Sequence, residues 1–264
     1  MSPVTWIIQH RVLGIGALIA TILVVLLAGW WFFALRSPGT PLNVHQALNL
    51  YKQQQRHRAN PNARLPTSGV YRYQTRGGEQ LSIGVNRSFP AQTSMVVTDA
   101  SCSKLLWEPF EQHAEGMTVC PTATGGLQIE QASSNESIAG LRTNTIINCP
   151  SNAYLVPPHP WAGEGWSTIC YSTGETIALT GEFLGRSSVA IRGKQVPALL
   201  THLDFRFSGS VTGDNPNNYW ISWPSGLVLR QTETADLTQR SGPLGSVRYT
   251  EQMAITLISS IPIR

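Results

Sequence analysis

The chain has 264 residues, a net charge of +4, 13% charged residues, 23 glycines and 17 prolines. That length holds a short anchor plus one domain of about 200 residues, and so few charges among so many turn formers exclude a helical bundle and favour short strands. The positive charge sits in residues 1–64 (Arg11, Arg36, Lys52, Arg56, Arg58, Arg64 and no acid), leaving 13 basic against 15 acidic residues beyond, which excludes the basic stripe that nucleic acid requires.

Residues 12–35 are an uncharged run of 24 residues between Arg11 and Arg36. As a helix the run is about 36 Å long, enough to cross a hydrocarbon core of about 30 Å. Trp6 on one side and Trp30, Trp31, Phe32 and Phe33 on the other suit the two membrane interfaces. The run is too long for the apolar core of a signal peptide, and no small-x-small cleavage site follows it. The expectation is an uncleaved single-pass anchor. Residues 1–11 are then a cytoplasmic tail, 12–35 the transmembrane helix, 36–68 a juxtamembrane helix and linker, and 69–264 an extracytoplasmic β domain.

Thr40-Pro41 reads as an N-cap followed by proline at the first helical position. Val44, Ala47, Leu48 and Tyr51 recur at helical spacing, and Asn60-Pro61 ends the pattern. This predicts a spacer helix over 41–58 carrying Lys52, Arg56 and Arg58. Anionic lipid headgroups are the expected contact, at about 1 kcal/mol per basic side chain near the surface.

From Gly69 the period changes to two. Residues 70–75 read as a strand, Gly77-Gly78 as a turn, and 80–85, 93–100, 117–120 and 127–132 as further strands. In 201–207, Leu203, Phe205 and Phe207 alternate with His202, Asp204 and Arg206. In 247–257, Val247, Tyr249, Glu251, Met253, Ile255 and Leu257 share one face. Arg192-Gly193 and Pro224-Ser225-Gly226 mark hairpins. About ten strands result, with no helical period long enough for a parallel crossover. The fold class is mainly β: behind the transmembrane helix lies an antiparallel, strongly curved sheet, a half-barrel or barrel-like meander.

Cys102, Cys120, Cys149 and Cys170 show no metal-binding spacing. Of their three pairings, Cys102–Cys120 and Cys149–Cys170 close the shortest loops and are expected. Disulfides persist in oxidising space, which places the domain outside the cytoplasm.

Glu111, His113 and Glu115 would share one face of an extended segment, a set that could bind a cation or move protons. A solvated or salt-bridged strand face gives the same pattern and is the expectation. Neither GxSxG, zincin nor P-loop motifs occur. No catalytic residue, metal ligand or cofactor is therefore assigned, and the chain is expected not to be an enzyme. Trp107, Trp220 and Trp223 are the candidates to line a groove for a ligand.

The series Gly69-Val70-Tyr71-Arg72-Tyr73, Gly77-Gly78-Glu79, Cys102, Trp107, His113, Cys120, Cys149-Pro150, 223–230 and Val247-Arg248-Tyr249 resembles a group of uncharacterised actinobacterial membrane-anchored proteins over most of residues 69–264. The succession of one-sided antiparallel strands is more loosely similar to LolA/LppX-like half-barrels, which carry lipids or lipoproteins and cover their concave face with helices. These resemblances imply a cell-envelope location and a curved sheet. The expected function is a non-enzymatic, single-pass envelope protein of the cell membrane, binding a lipophilic or lipid-linked ligand on that sheet. The alternative is a module that assembles with another envelope protein.

Overall fold

The structure, a computed structural model, describes residues 24–26, 39–54, 65–138, 141–223, 225–241 and 245–264. Residues 24–26 are helical and exposed, and the rest of the expected transmembrane run lies outside the described residues, as do Arg56 and Arg58. Among the described residues no helix is long and apolar enough to cross a membrane. Gly39–Arg264 forms one compact unit.

This unit is an antiparallel sheet of fourteen strands in the described residues: β1 (Gly69–Leu81), β2 (Val85–Ser88), β3 (Gln92–Asp99), β4 (Ser103–Phe110), β5 (His113–Pro121), β6 (Leu127–Ile138), β7 (Leu141–Asn148), β8 (Tyr154–Val156), β9 (Glu164–Ser172), β10 (Glu175–Ile191), β11 (Lys194–Gly209), β12 (Val211–Ile221), β13 (Val228–Ser241) and β14 (Gly245–Leu257). Neighbours in sequence are mostly neighbours in space. β1 then closes the ring, pairing with β3 along Gly69–Gln74 and with β14 along Tyr73–Leu81. The sheet is therefore a barrel, and its concave face is enclosed by its own strands, without covering helices. β2 continues the β3 edge along the far end of β1, and β8 pairs only with β6.

Gly77-Gly78 is not a turn. β1 runs straight through it and turns at 82–84. Gly77 has φ of 114°, and a Cβ there would collide with the Gln252 carbonyl of β14; one on Gly78 would meet the Arg87 carbonyl of β2. The glycines permit β1 to be gripped from both edges where the barrel closes. The Arg192-Gly193 turn does form as expected, both residues having positive φ and joining β10 to β11.

The predicted spacer helix starts later and packs on the domain, and residues 55–58 of its expected span lie outside the described residues. α1 (Val44–Gln54) starts not at Thr40 but at Asn43, whose Oδ1 accepts from Gln46 N (3.0 Å) while Gln46 Oε1 accepts from Asn43 N (2.9 Å), a reciprocal capping box. Ala47 and Tyr51 are buried against Val70 and Val96 on the outer face of β1 and β3, so the helix packs as a patch and not as a free stalk. Lys52 stands in its last turn, where a cation also complements the helix dipole.

Two disulfides pin the ring. Cys102–Cys120 ties the β3–β4 turn to the end of β5, and Cys149–Cys170 ties the end of β7 to β9. The second lies where the ring is thinnest, since β7 and β9 pair only at Asn148 and Tyr171. Inside, Tyr71, Tyr73, Leu105, Leu179, Leu203, Phe205, Ile221 and Ile255 pack as one apolar core. The outer residues His202 and Arg206 bond their β12 neighbours, His202 to Asn218 at 3.0 Å and Arg206 to Asp214 at 2.7 Å.

Candidate functional site: a polar cluster in the barrel lumen

Beyond the apolar core, inward positions turn acidic. Along β1 the inner face runs from Tyr71 and Tyr73 through Thr75 to Glu79, and along β14 it runs from Ile255 and Met253 to Glu251 and Tyr249. Register places Glu79 opposite Arg87 on one side and opposite Glu251 on the other. Two carboxylates directly opposite each other repel unless something compensates them. From across the barrel, β5 and β6 add the register pair His113 and Glu136. His113 is 0% exposed, Glu79 2% and Glu251 3%, which makes each charge here expensive unless paired.

The pairing is dense. Arg87 and Glu79 form an ion pair. His113 Nδ1 is 2.8 Å from Glu79 Oε2, and its Nε2 is 3.3 Å from Glu115 Oε1. Glu136 Oε1 approaches His113 Nδ1 to 3.8 Å. The Tyr249 hydroxyl lies between Glu79 Oε2 (3.1 Å) and Glu251 Oε2. Phe89 and Trp107 set their rings edge-on against His113, with centroids 5.8 and 5.6 Å away, sealing that side from water.

Charge state follows from these contacts. Burial pushes the His113 imidazole down, but its bonds to Glu115 and Glu79 outweigh this and hold it well above the ordinary value, so it is an imidazolium at neutral pH. Burial pushes Glu79 up, and His113 and Arg87 bring it below the usual carboxylate range. Glu136 is raised by burial. Glu251 is raised well above its ordinary value by burial and by Glu115. Glu233, further along the wall, is pushed up to about 8 by burial and the nearby Glu115.

Two adjoining cavities of about 120 and 140 Å³ open onto this cluster and share Glu115, Ser134, Ile147, Phe207, Asn215 and Glu233. The lining is two-sided. Met95, Leu105, Trp107 and Met117 form an apolar wall of the first cavity, while Asn217, Tyr219, Gln231 and Glu233 form its polar one. Gln231 Nε2 donates to Asn217 Oδ1 (3.1 Å) and Glu233 Oε2 (3.0 Å), and Asn215 Nδ2 donates to Glu233 Oε1 (2.7 Å).

The residues singled out from sequence are distributed differently from expectation. His113 and Glu115 do share a face and are salt-bridged on it, but that face is the barrel interior and not a solvated surface. Glu111 leaves the set because β5 begins only at His113; it sits in the preceding turn and accepts from Gln46 of α1 at 2.8 Å. The three tryptophans do not share a groove. Trp107 borders the first cavity and donates to Thr93 Oγ1, Trp220 lies under the Arg230 guanidinium, and Trp223 is exposed beside Pro197 and Leu199. Glu79, Arg87, Glu136, Glu233 and Glu251 carry the cluster, and the sequence reading gave none of them a role. Their signal was a charged residue on the apolar face of an alternating strand, visible at Glu251.

No family model matches the chain, and no curated protein matches it. Among solved structures, a hypothetical lipoprotein, YmcC from Escherichia coli (K12), is 13% identical and aligns over 85% of this chain and 100% of its own, with a TM-score of 0.34. A protein described as a lipoprotein from Parabacteroides distasonis ATCC 8503 is 12% identical over 72% of this chain and 95% of its own, with a TM-score of 0.28.

Proposed function

We propose that the chain is a non-enzymatic, single-pass membrane-anchored envelope protein whose barrel takes a small amphipathic ligand into its lumen. The ligand would bring an apolar body and a cationic or hydrogen-bond-donating head. The observation that carries this reading is the two-sided cavity lining, with Met95, Leu105 and Met117 facing Asn217, Gln231 and Glu233. A few placed polar groups in an otherwise apolar concavity are the usual make-up of a small-molecule site. Each cavity is several times the roughly 10–15 Å³ that admits a single water, which leaves room for a compact molecule. The lipophilic ligand expected from sequence is thereby narrowed to one whose polar head enters with it.

The extracytoplasmic placement draws on both disulfides and on the uncharged run of residues 12–35. The membrane bilayer is then the first partner, with Lys52, Arg56 and Arg58 near its headgroups. The alternative, an assembly module, is favoured by one feature. β7 and β9 each leave most of one edge unpaired, beside the exposed Ile146, Ile169 and Tyr171, a surface onto which an extended segment of another envelope protein could add.

The test is denaturing mass spectrometry of the full-length protein purified in mild detergent without delipidation. Ligand binding predicts a small molecule released in constant ratio to protein and reduced by Glu233→Gln. Repeated preparations that release nothing, from a folded protein, would count against it.

A further inference from the structure

We propose that Glu79, His113, Glu136 and Glu251 form a binding site for one divalent first-row metal ion, Zn²⁺ or Mn²⁺, inside the barrel. This goes beyond the ligand reading, since the donors differ from the Asn217–Gln231–Glu233 wall.

The geometry carries it in three ways. First, one donor atom from each of the four residues lies within 4.8 Å of all the others. Donors at about 2.1 Å from a common ion in a tetrahedral arrangement are about 3.4 Å apart, so side-chain shifts of up to about 0.7 Å each bring the set to bonding distance. Second, Glu251 has one oxygen beside Tyr249, while its Oε1 is buried with no hydrogen-bond partner. A buried carboxyl oxygen without a hydrogen-bond partner is costly in either protonation state, and an ion that displaces the proton supplies what it lacks. Third, the surroundings already orient the donors. His113 has Glu115 at Nε2 and Glu79 at Nδ1, so an ion that displaces the Nδ1 proton would meet an imidazole whose Nε2–H stays on Glu115 and whose Nδ1 already faces the cluster. A histidine ligand typically holds a carboxylate on its other nitrogen in this way.

Charge points in the same direction. Glu79, Glu136 and Glu251 gather around His113, Glu115 lies on its other nitrogen, and the Arg87 guanidinium is engaged by Glu79. The direct register of Glu79 against Glu251 holds two acids together that a dication would bridge. One imidazole and three carboxylates suit an ion of borderline to hard character, and no thiolate is available because all four cysteines are paired. Glu136 is the half-buried member and lines the second cavity, which gives the ion its path from the lumen.

The experiment uses the full-length protein in detergent, stripped with chelator and titrated with ZnCl₂ or MnCl₂ alone. Bound metal is read by elemental analysis after dialysis and affinity by calorimetry. The proposal expects one ion per chain, and a loss of affinity of about tenfold or more in Glu251→Gln. Should Glu251→Gln not fold, Glu136→Gln, at the cavity wall, is expected to weaken binding in the same sense. Substitution with Co²⁺ should give visible bands without thiolate charge transfer. Absence of stoichiometric metal in the folded wild type, equal retention by both variants, or a thiolate band would each overturn the assignment.

Discussion

Replacing Glu233 by Gln should change how the protein's stability depends on pH, and the size of the change follows from where the carboxyl sits. Glu233 is 6% exposed and raised from an ordinary 4.5 to about 8, by burial first and Glu115 second. The unfolded chain releases this proton near 4.5 and the folded chain only near 8. Between those values the folded state holds more protons than the unfolded one, so raising pH favours unfolding. The slope is about 1.4 kcal/mol per pH unit, or about 4 kcal/mol between pH 5 and pH 8. Below 4.5 both states are protonated and the effect vanishes; above 8 it is constant. Gln keeps the shape and cannot ionise. Urea unfolding of the disulfide-intact wild type and Glu233→Gln, at half-unit steps from pH 5 to 9, gives the difference curve. The expected result is a variant that gains on the wild type steadily with pH and levels off above about 8. Parallel curves would refute the reasoning, because they would mean that Glu233 ionises without penalty.

Further outcomes can be measured independently. Removing the Cys149–Cys170 bond, which spans 21 residues, should lower stability by about 3 kcal/mol through loop entropy, with amide exchange in β7 and β9 accelerated before the rest. Gly77→Ala should lose more than about 2 kcal/mol or fail to fold, since the added methyl meets the Gln252 carbonyl at a backbone angle only glycine adopts readily; thermal unfolding reads this, and Gly84→Ala, with open space around it, serves as the milder comparison. Tyr51→Ala should free α1 from the outer face of β1 and β3, at about 3 kcal/mol, and expose residues 44–54 to protease while the barrel resists.

Much of the barrel was legible because one-sided strands announce themselves by period two. The alternation in β11 and β14, the hairpin at Arg192-Gly193 and the pairing of β12 with β13, and the local span of each cysteine pair all follow from short-range rules. What decides the architecture is long-range. Nothing local says that Tyr73 pairs with Leu257, so half-barrel and barrel could not be separated until β1 and β14 were seen in register. The same contact misled the reading of Gly77-Gly78, where glycine answers a close approach by a distant strand and not a reversal of the chain. The polar cluster failed for a related reason. Glu79, His113, Glu136 and Glu251 come from four strands scattered along the sequence, and only Glu251 stood visibly on an apolar face. A histidine between two glutamates suggests a solvated or salt-bridged face; the salt bridges form, and it is their burial that nothing local announces.

The claim on which the rest stands is that the enclosed space between the apolar and polar walls holds a small molecule. Native mass spectrometry of the full-length protein, released from mild detergent, tests it when paired with Ala132→Phe, a substitution that fills the first cavity. The account predicts a discrete mass adduct on the wild type that is absent from the folded filled variant. A wild type at the bare polypeptide mass, or an adduct that persists when the cavity is filled, would contradict it.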